Sequence, residues 1–438
     1  MQPQEHPYYF TWCAQNKAKP LTFKNVSNTH YFLEDNHSLH ELSSISYSAS
    51  FGFKPPAIAE AIKHQCDQFM AMGPKAVFDL KERVSRKLLD YLELPSGKLF
   101  YTTSGAESVE NALKMARDLS QKKIVLARKD AYHGASMGAL TVTGDWRHDS
   151  QQLPRDWMRR IPGPRDINSL AEIEKIILET GPEQIAAIIL ETVTGGNGVI
   201  IPELHWLKGV RALCDRYQIF LIMDEVVGGF HRTLKPMALS HFDPHIADFI
   251  TFSKGITGAC VPFGALWTSS QVASRYADRV LSCGLTNYAH PLGLSALEAV
   301  LHMLQTKSFQ QNLKACADEL QQALEKIKRC SPVIEVRSFG MLAAIDFLNS
   351  KEFSLTQEDL FKAGLSLILQ DVSQATLALQ KIDVAKALQS ENAVSTNEAH
   401  TFGRIILAPF LNDDPKILKQ SLEKLHMLFL AKGSHPCK

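Results

Sequence analysis

The chain has 438 residues, of which 45% are apolar and 21% charged, with 47 Lys plus Arg balancing 46 Asp plus Glu. A chain of this length buries one large core with room for a satellite domain, and the composition is that of an ordinary soluble globular protein. The balanced charge leaves no electrostatic footprint for nucleic acid or an anionic membrane surface, which excludes polyanion partners from the expected functions.

The N-terminus, Met1 to Pro7, has neither a basic nor an apolar segment. No apolar run reaches the ~20 residues of a membrane span. A cytoplasmic protein without membrane contact is expected. The eight cysteines (13, 66, 214, 260, 283, 316, 330 and 437) are scattered, and neither Cys-x-x-Cys nor a metal-ligand spacing among the 16 histidines occurs. Reduced thiols and no metal site are therefore expected.

Residues 1–50 read as an N-terminal arm with a few small strands, such as His30 to Leu33. Pro55 to Met70 opens on Pro-Pro and continues as a helix, and a second helix carries Leu80, Val84, Leu88 and Tyr91/Leu92 before the turn Leu94-Pro95-Ser96-Gly97. From residue 99 strand, loop and helix alternate, with apolar runs at 124–127, 185–190, 219–223, 249–252 and 263–267. That alternation predicts an α/β fold with a mainly parallel, doubly wound sheet. A long amphipathic helix at 308–329 leads toward a smaller domain with strands at 333–337 and 341–346, a helix over 356–369, a polar loop at 389–401 and a last helix from 414 to 431. The expected division is an arm with part of the small domain (1–70), a large domain (71–310) and a C-terminal small α+β domain (311–438).

Three apolar runs end in chemically active residues: one delivers Glu191, the next Asp224 and Glu225, the third Ser253 and Lys254. Open α/β sheets place their ligands at these carboxyl ends, where desolvation favours a neutral, nucleophilic lysine. Upstream, Ser104-Gly105-Ala106-Glu107-Ser108 lies between a strand and a helix, where backbone N–H groups and the helix dipole suit one phosphate. Each feature alone has a plainer reading, as a helix cap or a turn. The absence of Gly-x-x-x-x-Gly-Lys-Ser/Thr and Gly-x-Gly-x-x-Gly argues against a nucleoside triphosphate or a dinucleotide. A lysine for an imine, a carboxylate for a pyridinium nitrogen and a nest for one phosphate are the needs of pyridoxal 5′-phosphate.

Thr102 to Ala112, Tyr132-His133-Gly134, Glu191, Asp224-Glu225-Val226, Ser253-Lys254-Gly255 and Thr286 before His290-Pro291-Leu292 together resemble the class III aminotransferases of the fold type I pyridoxal-phosphate family. The resemblance implies that Lys254 bonds the cofactor and shuttles the proton, that Asp224 keeps the ring nitrogen protonated, and that Val226 and Tyr132 cover the two ring faces. It implies that Gly105 and Ala106 hold the phosphate with Thr286 of the partner subunit in a homodimer, that Ser104 and His133 complete the cofactor contacts, and that Glu191 lies toward the substrate. Tyr132 also reads as a core aromatic, Val226 as strand packing and Thr286 as a turn hydroxyl.

The chain departs from the family pattern at Val227, at Gly229 to Leu234, and at Ile406 and Phe410 around Pro409. Arg404 and Arg147 are the arginines left to bind a substrate carboxylate, each with the alternative of a surface role. Phe10-Thr11-Trp12 resembles the aromatic entry of amine-acting members, which puts Trp12, and with it Tyr47, on the pocket wall or at the dimer interface. The expected reaction is ping-pong transfer of an amino group from a primary amine or ω-amino acid to a 2-oxo acid. An aminomutase, racemase or decarboxylase on the same scaffold is the alternative, ahead of a non-catalytic cofactor-binding protein.

Overall fold

The computed structural model describes residues 6–94, 96–149, 151–350, 353–384 and 401–432. The apolar runs between 124 and 267 are strands of one seven-stranded sheet. Its strands are β4 (Gly97–Thr102), β5 (Ile124–Arg128), β6 (Met158–Ile161), β7 (Ile185–Glu191), β8 (Phe220–Asp224), β9 (Phe249–Phe252) and β10 (Gly264–Ser269), in the order β4-β10-β9-β8-β7-β5-β6. The five strands from β9 to β6 run parallel, and β7 is buried at every position. A strand covered on both faces has no reason to alternate, which is why it reads as an unbroken apolar run. β10 runs antiparallel to both neighbours, because the 253–263 connection from β9 is too short to hold a crossover helix. Edge strand β6 escapes the sequence pattern because Arg159 and Arg160 interrupt it.

Two smaller sheets stand apart from this one. The first joins β1 (Phe23–Val26), β2 (His30–Leu33) and β3 (Ser38–Glu41) to β13 (Leu365–Ser366), so that the N-terminal segment pairs with a strand near residue 365. The second is antiparallel, in the order β11 (Val333–Ser338), β12 (Ala343–Asn349), β15 (Thr401–Leu407), β14 (Ile368–Val372). The helix Gln357–Lys362 is half of the helix expected over 356–369. It starts on a Thr356/Asp359 capping box, ends ahead of Gly364 at φ 79, and the chain beyond it becomes β13 and β14. Pairing with β3 and β15 overrides the local helical pattern there. The expected polar loop at 389–401 lies outside the described residues up to 400, and Thr401 opens β15.

The long helix Lys307–Ile327 packs on the last helix, Pro415–Lys432, and Pro291–Gln305 packs on the early helices Pro56–Gln68 and Asp79–Tyr91. No helix among the described residues is long and apolar enough to cross a membrane.

Candidate active site

Strand register brings the strand-end groups together. Glu191 of β7 lies opposite Asp224 of β8, and Asp224 lies opposite Thr251 of β9, along the carboxyl edge of the parallel strands. Lys254 follows just past that edge in left-handed backbone, at φ 47. Such a conformation costs a non-glycine residue of order 1–3 kcal/mol. The turn is held by the Ser253 hydroxyl donating to the Phe263 carbonyl (2.9 Å) and by the Ala259 N–H donating to the Lys254 carbonyl (3.3 Å).

Asp224 is buried with both oxygens engaged. Oδ2 sits 2.8 Å from Nδ1 of His133, while Oδ1 accepts from the Val226 N–H (3.0 Å) and the Thr251 hydroxyl (3.2 Å). The His133 N–H donates in turn to Thr143 Oγ1 at 3.0 Å. The carboxylate is thereby locked in one orientation. Burial pulls the Lys254 ammonium below its ordinary range, against the opposing pull of the Asp224 and Glu191 carboxylates.

Glu191 fastens backbone on both sides of the pocket. Its Oε1 accepts from the Tyr132 N–H and its Oε2 from the Gly195 N–H, each at 3.0 Å. Burial raises this carboxyl above the usual range, with His133 working in the other direction.

The helix Gly105–Ser120 begins at the same place. Ser104 caps it by accepting from the Glu107 N–H at 3.2 Å, and the Glu107 carboxylate accepts from Thr103 N–H and Oγ1, both at 2.7 Å. A reciprocal cap of this kind fixes the first turn and leaves the Gly105 and Ala106 N–H groups directed outward. A Cβ on Gly105 would stand 2.9 Å from Val226 Cγ2 and 3.3 Å from Ser253 Cβ. The helix N-terminus therefore abuts the residues that flank Asp224 and Lys254, and only glycine permits that approach.

An aromatic wall closes the other side. Lys254 Nζ lies 5.2 Å from the ring centre of Tyr47, which is buried. Tyr47 ends a run, Ser44–Tyr47, in which four successive residues are left-handed (φ 48, 49, 56 and 69). Left-handed backbone costs roughly 1–2 kcal/mol per residue, and Ser44 secures it by donating to the Ala408 carbonyl (2.6 Å) and accepting from Arg232 (3.2 Å). Further out, the Arg147 guanidinium lies 4.7 Å from the Tyr132 ring centre, 4.8 Å from Trp146 and 5.4 Å from Trp12. Trp12 meets Trp146 edge-on at 5.9 Å.

The structure thus gathers Ser104, Gly105, Ala106, Tyr132, His133, Glu191, Asp224, Val226 and Lys254 at one edge, with Tyr47 over the lysine and Trp12 at the rim. Thr286 lies in an exposed turn. Arg404 is buried and committed elsewhere: its Nε donates to Asp346 (2.6 Å) and its NH2 to Gln380 (2.8 Å), beneath Gly198. At the departures from the family pattern, Val227 packs against Gly195, His231 bonds Tyr91 (2.6 Å), and Arg232 donates to the carbonyls of Met341 (3.1 Å) and Pro409 (2.6 Å). Sequence reasoning missed Asp145, Trp146 and Asn197. The one available signal was the run Gly195-Gly196-Asn197-Gly198 directly after Glu191, a turn composition beside a strand-end acid.

The donor set suits pyridoxal 5′-phosphate. A helix N-terminus with a glycine approach fits one phosphate, the oriented Asp224 fits a cationic ring nitrogen, and the buried Nε2 of His133 and hydroxyl of Tyr47 have no hydrogen-bond partner among the described residues. No cluster of metal-ligating side chains occurs among the described residues.

Comparison with known proteins points the same way. The family profile described as "Aminotransferase class-III" matches residues 13–380. An omega-aminotransferase of Caulobacter vibrioides is 28% identical over 368 residues, covering 77% of this chain and 83% of that protein. A putrescine aminotransferase of Pectobacterium atrosepticum is 32% identical over 327 residues, covering 72% of this chain and 68% of that one. Among solved structures, a taurine:2-oxoglutarate aminotransferase from Bifidobacterium kashiwanohense, in complex with PLP and glutamate, superposes with a TM-score of 0.79 at 27% identity, covering 97% of this chain and 95% of that one.

Proposed function

The chain belongs to the class III aminotransferases, pyridoxal-phosphate enzymes of fold type I, and from that premise we propose that it moves an amino group from a primary amine or ω-amino acid to a 2-oxo acid in two alternating half-reactions. The observation that carries the reading is the register that sets Glu191, Asp224 and Thr251 side by side, with Lys254 just beyond them and the N-terminus of Gly105–Ser120 against its flank.

The cofactor, when bound, supplies an electron sink and a carrier for the amino group. The residues do the rest. Gly105 and Ala106 N–H groups with Ser104 would hold the phosphate at the positive end of the helix. Asp224 would hold a proton at the ring nitrogen, and His133, by bonding Oδ2, keeps that carboxylate aimed. Val226 and Tyr132 would help to confine the ring. Lys254, poised toward its neutral form by burial, moves the proton at the substrate carbon through its Nζ. Glu191 acts through backbone, fixing Tyr132 and Gly195 rather than meeting substrate.

Trp12 and Tyr47 form the substrate wall, and Arg404 supports the Asn197–Gly198 loop from beneath. The active unit is a homodimer in which Thr286 of the partner subunit completes the phosphate site, a reading supported by the exposure of the Thr286 turn in the single chain. Putrescine and taurine, the substrates named for two relatives, both carry the amino group on a carbon without a carboxylate, in line with an amine or ω-amino acid donor. The test is a screen of donors in single half-reactions, read by absorbance, with pyruvate and 2-oxoglutarate as acceptors. Stoichiometric conversion to the pyridoxamine form supports amino transfer. Release of carbon dioxide, or inversion without an oxo product, assigns the decarboxylase or racemase alternative instead.

A further inference from the structure

We propose that Glu41 is a positioning residue for the active site: its carboxylate holds the left-handed turn Ser44–Tyr47 in place, and through that turn it lays the Tyr47 ring over Lys254 and sets the width of the donor pocket. The inference rests on the amino-transfer reading for the pocket that the ring narrows, while the hold itself is a property of the folded chain.

Nothing local favours the turn. Its four residues stand at φ 48, 49, 56 and 69, and none of them is glycine. Ile45 is β-branched, which suits positive φ least of all. Ile45 and Ser46 are both exposed, so burial of their side chains does not keep them there. Strained backbone persists only where surrounding bonds over-determine it. Ser44 supplies two of those bonds, to the Ala408 carbonyl and from Arg232. Glu41, the last residue of β3, supplies the others. Its Oε1 accepts from the Ser43 N–H (2.8 Å), the Ser43 hydroxyl and the Ile45 N–H (3.3 Å). Its Oε2 accepts from Ser366 Oγ at 2.6 Å, where β13 pairs with β3. Glu41 is buried, and hydrogen bonds in the interior are stronger than in water. One carboxylate thus fastens the entry to the turn and the strand beside it.

Tyr47 is the residue that the turn delivers. Its N–H donates to the Ser43 carbonyl at 2.8 Å, and its ring centre stands 5.2 Å from Lys254 Nζ. A Cβ on Gly196 would come within 3.3 Å of the Tyr47 hydroxyl, so the loop that Glu191 anchors at Gly195 backs the ring. Burial raises the phenol above its ordinary range; Glu191 acts in the same direction, and Arg147, Arg232 and Arg404 act against it. The ring is therefore neutral and enclosed. Relaxation of the turn to negative φ would carry Tyr47 away from both contacts, because a change of sign at successive residues redirects the side chain at their end.

The experiment is nitration of the holoenzyme by tetranitromethane, which attacks the phenolate of accessible tyrosines, read at Tyr47 by peptide mass mapping against a free tyrosine derivative in the same mixture. It is paired with the ratio of kcat/KM for 1-phenylethylamine to that for the smaller donor 2-aminobutane. Glu41→Ala is expected to speed nitration of Tyr47, and to raise the donor ratio, by about tenfold, the worth of one to two such bonds. Glu41→Gln can keep its oxygen toward Ser43 and Ile45 and donate its NH2 to Ser366, and is expected to stay within about threefold of wild type. Adding Ile45→Gly and Ser46→Gly to Glu41→Ala is expected to return both readouts toward wild type, since glycine takes positive φ freely. Two added glycines would not repair a general loss of stability. Ser44→Ala, expected to act in the same direction as Glu41→Ala, covers the case in which that variant does not fold. A Tyr47 that is reactive in the wild type, a Tyr47 as protected in Glu41→Ala as in the wild type, a donor ratio unchanged where Tyr47 has become reactive, or glycines that expose Tyr47 further would each overturn the proposal. Because nitration needs no turnover, a wild-type enzyme that transfers no amino group would sink the functional reading and leave the hold of Glu41 to be judged on Tyr47 alone.

Discussion

Replacing Asp224 by Asn removes one charge and almost nothing else. The carboxylate now accepts from Val226 and Thr251 at Oδ1 and meets His133 Nδ1 at Oδ2. An amide placed with its oxygen toward Val226 and Thr251 keeps both of those bonds, and its NH2 then faces His133, whose imidazole can accept by changing tautomer. Folding stability should therefore shift by no more than the worth of one ordinary hydrogen bond, about 1 kcal/mol. What disappears is the negative charge that holds a proton on the cofactor ring nitrogen in a buried site. Loss of one such preorganised stabiliser costs about two to three orders of magnitude in turnover. The assay is steady-state amino transfer with the best donor, together with cofactor content after denaturation and a thermal melt. The expected variant folds normally, retains its cofactor and turns over at least a hundredfold more slowly, the lower end of that range. Near-normal turnover would mean that Asp224 only orients Val226 and Thr251 at the strand end, and the central chemical assignment would fall.

Borohydride reduction of the holoenzyme should fix the cofactor on Lys254, and peptide mapping that finds the adduct on another lysine would refute its assignment. Mixing Lys254→Ala with Thr286→Ala chains under subunit exchange should restore activity, because one site of each heterodimer then has an intact lysine together with Thr286 of the partner subunit; no gain despite proven exchange would argue against a shared site. Burial raises the Glu225 carboxyl to about 7, although Thr192 Oγ1 and the N–H groups of Ala238 and Leu239 bond it. The folded state thus binds a proton that the unfolded chain has released, so stability should fall as pH rises from about 4.5 to about 7, by roughly 3 kcal/mol in all. Melts across that window should show a slope that Glu225→Gln flattens, whatever the variant's absolute stability, and a wild-type curve that is flat or rises would contradict the buried neutral form.

The sequence alone carried the sheet and its active edge because both are written in local terms. Strands buried on two faces must be apolar throughout, so Ile185–Leu190 and Phe249–Phe252 stand out, and the polar residues that end such runs, Glu191, Asp224 and Lys254, fall at the ligand edge of a parallel sheet whatever the neighbouring order. The Ser104-capped helix is equally local, since cap, glycine and first turn are consecutive residues.

Everything that depends on a partner distant in the chain had to wait for the tertiary structure. The end of the helix expected over 356–369 is strand in fact, at Leu365–Ser366 and from Ile368 on, because β3 and β15 offer backbone partners that no local propensity reveals. The two candidate arginines look alike as letters. Asp346, from a neighbouring strand, and Gln380 bury the charge of Arg404, whereas three rings from separate segments and a carboxylate two residues upstream leave Arg147 at the edge of the pocket. A side chain's type and position in the sequence set what it can do chemically. Which groups it meets is decided by desolvation and pairing among segments that only folding brings together.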